Sequence, residues 1–140
     1  MLFFRLLVLV CISTIYLYSN SNIAVIVSKN SSLNNISKSE LSKIFLSKTK
    51  ILPNSKKALV VEIANKDIQK VFYKNISKKT QKQLKKYWAT MIFTGRGMPP
   101  KKLKTVDEII KFIQNNDNAI SYVEKNKINS KNIKILMEIK

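Results

Sequence analysis

Apolar positions along the chain fall into short runs and helical stripes separated by polar punctuation. Asn22 to Val27 is almost continuously apolar, the pattern of a strand buried on both faces of an α/β sheet. The polar stretch Ser28 to Asn35 then reads as a loop, and Ser37-Lys-Ser-Glu40 as a capping box opening a helix with Leu41, Ile44 and Phe45 on one face. Pro53-Asn54-Ser55 is turn chemistry, and Ala58 to Ile63 is a second strand. A helix from about Lys66 to Ile76 aligns Ile68, Val71, Phe72 and Ile76. Ser77 or Thr80 caps a longer helix through Phe93, whose stripe is Leu84, Tyr87, Trp88, Met91 and Ile92. Thr105-Val-Asp-Glu108 is a further capping box, opening a helix with Val106, Ile109, Ile110 and Ile113 as its buried stripe and Asn115 to Asn118 as its end. Ala119 to Val123 is a third strand. Asn132 to Ile139 is a fourth, alternating well enough for an edge position. Strands separated by helices predict an α/β layer structure: a mixed sheet of about four to five strands, partly parallel, flanked by helices.

The length of 140 residues suits one domain. The chain has no His and one Cys, Cys11. A Ser-His-Asp triad, a Cys-His pair, a His-bearing metal site and an internal disulfide are therefore excluded. Eight acids are scattered, mostly at expected helix starts and strand ends, and form no pair suited to acid–base work, so neither an enzyme nor a bound cofactor or metal is expected.

Charge sharpens the picture. There are 26 Lys and Arg against 8 Asp and Glu, a net charge of +18. Such a field attracts polyanions, anionic membranes or small anions. Of the 26 cations only Arg5 and Arg96 are Arg, whereas base readout and bidentate phosphate clamping favour the planar guanidinium, so a specific nucleic-acid function is not expected. Lys78, Lys79, Lys82, Lys85 and Lys86 read either as a solubilising helix face or as a polyanion track.

The first residues read as an export signal: Arg5, then the apolar run Leu6 to Tyr18, too short for the roughly 20 residues that span a bilayer. Small residues at Ser19 and Ser21 permit cleavage near Ser19 to Asn22, and an uncleaved anchor is the alternative. The expected organisation is a signal segment at 1–21 and one domain at 22–140, periplasmic or otherwise exported, with membrane contact through the N-terminal segment.

Two places carry candidate chemistry. Phe93-Thr-Gly-Arg-Gly-Met-Pro-Pro100 holds both glycines of the chain and two of its three prolines. Thr94, Gly95, Arg96 and Gly97 offer either an oxyanion cradle of backbone N–H groups, hydroxyl and guanidinium, or simply a left-handed helix cap at Gly95. Asn65 follows the second strand and opens a helix, where it suits either an anion contact or a plain N-cap.

Ile44-Phe-Leu-Ser-Lys48, Asp67-Ile-Gln-Lys-Val-Phe-Tyr73, Tyr87-Trp-Ala-Thr-Met-Ile-Phe-Thr-Gly-Arg-Gly-Met-Pro-Pro100 and Asn118-Ala-Ile-Ser-Tyr-Val123 together resemble small exported single-lobe proteins related to the substrate-binding proteins of phosphate ABC transporters. The resemblance implies a single lobe of the type II periplasmic-binding-protein-like fold and a non-enzymatic solute-binding role, linked to phosphate uptake, with a transporter or envelope protein as partner. It implies an oxyanion site, phosphate or similar, at Asn65, Thr94, Gly95, Arg96, Gly97 and Ser121. Three positions depart from the family pattern: Gln69 stands where an Arg is common, Ala64-Asn65-Lys66 replaces Ser-Gly-Thr, and Ser121 replaces the second glycine of Gly-Ala-Ile-Gly-Tyr. The competing reading is a lobe without ligand that docks on an envelope protein or anionic membrane through its basic face.

Overall fold

A computed structural model of the chain describes residues 22–140; the expected signal segment and Cys11 lie outside the described residues. The elements are β1 (Ile23–Ser28), α1 (Lys38–Phe45), β2 (Leu59–Ile63), α2 (Lys66–Ser77), α3 (Gln81–Phe93), β3 (Lys101–Leu103), α4 (Val106–Gln114), β4 (Ala119–Glu124) and β5 (Ile133–Ile139), with a 3₁₀ turn at Lys125–Lys127. One five-stranded mixed sheet runs in the order β3-β2-β4-β1-β5. β2 is parallel to β3 and β4, whereas β1 is antiparallel to β4 and β5.

The sequence pattern explains the layering. All of β1 is buried, as its unbroken apolar run requires when both sheet faces are covered. β5 alternates half-buried and exposed residues at one edge, and a bulge opposite Val25/Ile26 shifts its register. From β2 the chain moves outward through α2 and α3 to β3, then returns through α4 past β2 to β4. Right-handed crossovers in opposite directions put α2 and α4 on opposite faces of the sheet. On the α2 face, Phe45, Phe72, Tyr73 and Tyr122 interlock; Phe72 stacks on Tyr122 at 3.7 Å between centroids, and Phe45 meets Phe72 edge-on at 4.8 Å.

Helix ends follow their local chemistry. Ser37/Glu40 and Thr80/Gln83 both close reciprocal capping boxes. At α4 the expected box is only half formed: Thr105 accepts from the Glu108 N–H, but the Glu108 carboxylate reaches one residue further back, to the Lys104 N–H at 3.0 Å.

The structure corrects three expectations. β3 was not anticipated, because three residues beginning Lys-Lys carry no strand pattern and are held only by pairing to β2. The apolar stripe of α3 is largely uncovered: Leu84 alone of the helix is buried, Tyr87, Trp88 and Met91 are half-buried, and Ile92 is exposed. Glu62, grouped by sequence with the scattered acids of helix starts and strand ends, is 2% exposed.

Candidate functional site

The carboxyl ends of the parallel strands β2, β3 and β4 lie at one end of the sheet, where α2 and α4 begin. The connection leaving β2 goes to one side and that leaving β4 to the other, so a crevice forms between two adjacent strands, the place where ligands gather in open α/β sheets. A cleft of about 220 Å³ occupies it. Ile63 and Ala64 from the end of β2, Val123 and Glu124 from the end of β4, Asn65 and Ile68 at the start of α2, Lys104, Thr105 and Val106 at the start of α4, and Lys127 line it.

The local electrostatics are mildly cationic. Lys127 pairs with Glu124, which neutralises it in part, and Lys104 stands beside the α4 start. Asn65 is the N-cap of α2: its Oδ1 accepts from the Asp67 and Ile68 N–H groups at 3.0 and 3.3 Å. Its Nδ2 donates to no described residue. The Asn65 N–H itself is bonded to the Ile63 carbonyl, and that of Ala64 to the Leu103 carbonyl. Much of the donor capacity that a bare helix start would offer an anion is therefore used inside the fold. Asn65 Nδ2, the Lys104 ammonium and the N–H groups of Lys66, Val106 and Asp107 remain for a ligand.

Of the six residues expected at an anion site, Asn65 alone lines this cleft. The Thr94–Gly97 loop sits at the far end of α3 and closes that helix. Thr94 Oγ1 donates to the Thr90 carbonyl at 2.7 Å, and the N–H groups of Thr94, Gly95 and Arg96 bond the carbonyls of Thr90, Ile92 and Met91. Gly95 has φ +66°, the left-handed cap. Gly97 is required for a different reason: a Cβ there would stand 2.9 Å from Ser47 Cβ, and Ser47 Oγ donates to the neighbouring Met98 carbonyl at 2.9 Å. The Arg96 side chain is exposed. Ser121 is fully buried at the middle of β4, and its Oγ has no hydrogen-bond partner.

The polar centre that sequence reasoning missed is Glu62. Its carboxylate accepts from Gln69 Nε2 at 2.8 Å and from the Tyr73 and Tyr122 hydroxyls at 3.0 Å each. Burial raises the Glu62 pKa above the ordinary carboxylate range, against the opposing pull of its donors and of Lys102. Burial and the adjacent carboxylate raise both tyrosines as well, so both stay protonated and donate. The available signal was the spacing of Gln69 and Tyr73, four apart on one helix face, opposite an acid inside an apolar strand. Position 69, where the family resemblance expected an anion-binding Arg, thus faces a buried carboxylate rather than the cleft.

No family model matches the chain, and no curated protein matches it. Solved structures do match its fold. A structure from Clostridium perfringens, described as a phosphate ABC transporter substrate-binding protein with bound phosphate, aligns over 82% of this chain with TM-score 0.63 and 15% identity. An ABC-type phosphate transport receptor from Vibrio cholerae aligns over 83% with TM-score 0.54 and 11% identity, and PstS from Borrelia burgdorferi over 83% with TM-score 0.55 and 18% identity. The aligned regions are 44%, 45% and 47% of those chains. The chain spans less than half the length of the structures it matches, and its architecture is that of a single lobe of a periplasmic-binding-protein-like fold.

Proposed function

We propose that the chain is an exported, non-enzymatic solute-binding lobe that takes phosphate or a similar oxyanion in the cleft between the carboxyl ends of β2 and β4. The observation that carries this reading is the coincidence of that cleft with two helix starts, Asn65 and Lys104 at the topological switch point. The likeness to phosphate-binding proteins supports it. In the narrower site Asn65 Nδ2 and the Lys104 ammonium contact the anion, with Lys127 at the rim, while Arg96 belongs to a separate surface. Because the helix-start donors are partly used and the cleft is open, binding is weak unless a partner chain covers it: an exposed charge-assisted hydrogen bond contributes less than the ~1.5–3 kcal/mol of a shielded one. A transporter subunit is the natural partner for uptake.

Calorimetric titration with phosphate, sulfate serving as matched control, tests this at about 0.15 M salt, where the Debye length is ~8 Å and diffuse attraction is screened. The expected result is saturable one-to-one binding of phosphate, weakened about tenfold by Asn65→Ala or Lys104→Ala and unaffected by Arg96→Ala with Thr94→Ala. Equal weak heats for both anions would overturn the function. Loss of binding on changing Arg96 and Thr94 would move the site to the glycine loop.

A further inference from the structure

The two most exposed large apolar side chains of the described residues sit at one tip, the end of α3 and the loop after it: Phe93 is 92% exposed and Met98 66%, with Ile92 at 48% beside them. Exposed Phe at this level is uncommon, and three such residues around one turn form a patch rather than scattered exposure. The backbone beneath them is closed. The carbonyls of Thr90, Met91 and Ile92 each receive an N–H from Thr94, Arg96 or Gly95, and the Thr94 hydroxyl adds a second donor to Thr90. A tip whose side chains are apolar and whose Thr90, Met91 and Ile92 carbonyls are already paired enters an apolar phase at a lower cost in naked backbone groups.

The charges around the tip are positive. Arg96 lies between Phe93 and Met98, and Lys101 and Lys102 follow the prolines, all exposed. Lys85 and Lys86 precede Ile92 and Phe93 by two helical turns, roughly 10 Å. Interfacial segments bury their apolar side chains ~5–10 Å into the headgroup and acyl boundary, so insertion of Phe93 and Met98 would bring these lysines to the level of the lipid phosphates. A second copy of this chain is a poor occupant, since a net charge of +18 would oppose its own image.

We infer that the α3 tip, Ile92, Phe93 and Met98 with Arg96, Lys85 and Lys86 around them, docks the lobe on an anionic lipid surface. This surface is separate from the anion cleft, and the two stand or fall independently.

A reporter at the tip tests it in the full chain regardless of what the N-terminal segment does. Trp88 is the sole Trp, so Phe93→Trp in a Trp88→Phe background places one fluorophore on the tip, and Ile135→Trp in the same background places one on β5, the sheet edge opposite β3. Vesicles of phosphatidylglycerol brominated in the acyl chains should shift the tip emission to the blue and quench it, while phosphatidylcholine vesicles and the position-135 reporter give no change. Neutralising Lys85, Lys86 or Arg96 to Gln should weaken vesicle binding, as read at the tip, about fivefold per cation at moderate salt. Met98→Ser should weaken it about tenfold. Equal quenching at both reporters, or equal response to neutral and anionic lipid, would overturn the inference. So would no response at the tip, which would assign the patch to a protein partner.

Discussion

The Glu62 centre and the α3 tip are opposite solutions to the same requirement. At Glu62 a carboxylate sits inside the aromatic layer of Phe72, Tyr73 and Tyr122, and both its polar atoms and its neighbouring side chains are enclosed. At the tip the Thr90, Met91 and Ile92 carbonyls are paired with the N–H groups of Thr94, Arg96 and Gly95, yet Phe93 and Met98 face water. Hydrogen-bond closure is therefore present in both regions, and only the first also has side-chain partners. The difference separates what holds the fold from what is available for use: one region is bound to the core through three elements, whereas α3 touches it through Leu84, the half-buried Tyr87 and Trp88, and the Tyr87 hydroxyl, which donates to the Leu46 carbonyl at 2.6 Å.

Changes at the two regions should differ in kind. Glu62→Ala leaves the Gln69 amide and two tyrosine hydroxyls without their acceptor and opens a cavity, and should lower unfolding free energy by about 3 kcal/mol or more in urea denaturation. The same carboxyl gives the comparison a pH dependence. Its folded pKa is raised, so the folded state holds the proton more tightly than the unfolded chain; its contribution is fully present below the ordinary carboxylate range and is lost as pH rises through the folded value. Glu62→Gln should flatten that part of the stability–pH curve, measured by thermal melts from acid to neutral pH. At the glycine loop, Gly97→Ala should cost about 1–2 kcal/mol by pushing on Ser47 and the Met91 methyl, and more than Gly95→Ala, which strains only a solvent-facing left-handed turn. Ser121→Ala should be neutral or stabilising by up to about 1 kcal/mol, because it removes a buried hydroxyl that has no partner. Phe93→Ser should leave stability within about 0.5 kcal/mol of the parent, in the same denaturation experiment, since so little of Phe93 is buried.

Local chemistry made most of the fold legible. The apolar run of β1, the capping boxes at Ser37 and Thr80, the Asn65 cap and the amphipathic stripe of α4 each lie within a few residues of chain and declare themselves there. Pairing between distant segments was less visible. β3 exists because Lys101–Leu103 meets Val61–Ile63, and Gly97 is needed because Ser47 approaches from the end of α1. The α3 stripe shows the complementary limit: helical periodicity reveals which side chains share a face but not whether the fold supplies anything to cover it. At the candidate site, sequence identified Asn65 after β2, but the gathering of Lys104, Thr105 and Lys127 around it depends on the order in which β2, β3 and β4 enter the sheet.

The central claim is that the oxyanion site lies at the switch-point cleft. Amide chemical shifts followed by NMR during phosphate titration at about 0.15 M salt test it most directly. The account predicts saturable shifts confined to Ala64–Ile68, Lys104–Asp107 and Lys127, with Thr94–Gly97 unmoved. Shifts centred on Thr94–Gly97, or a diffuse response over the lysine surface that sulfate reproduces, would contradict it.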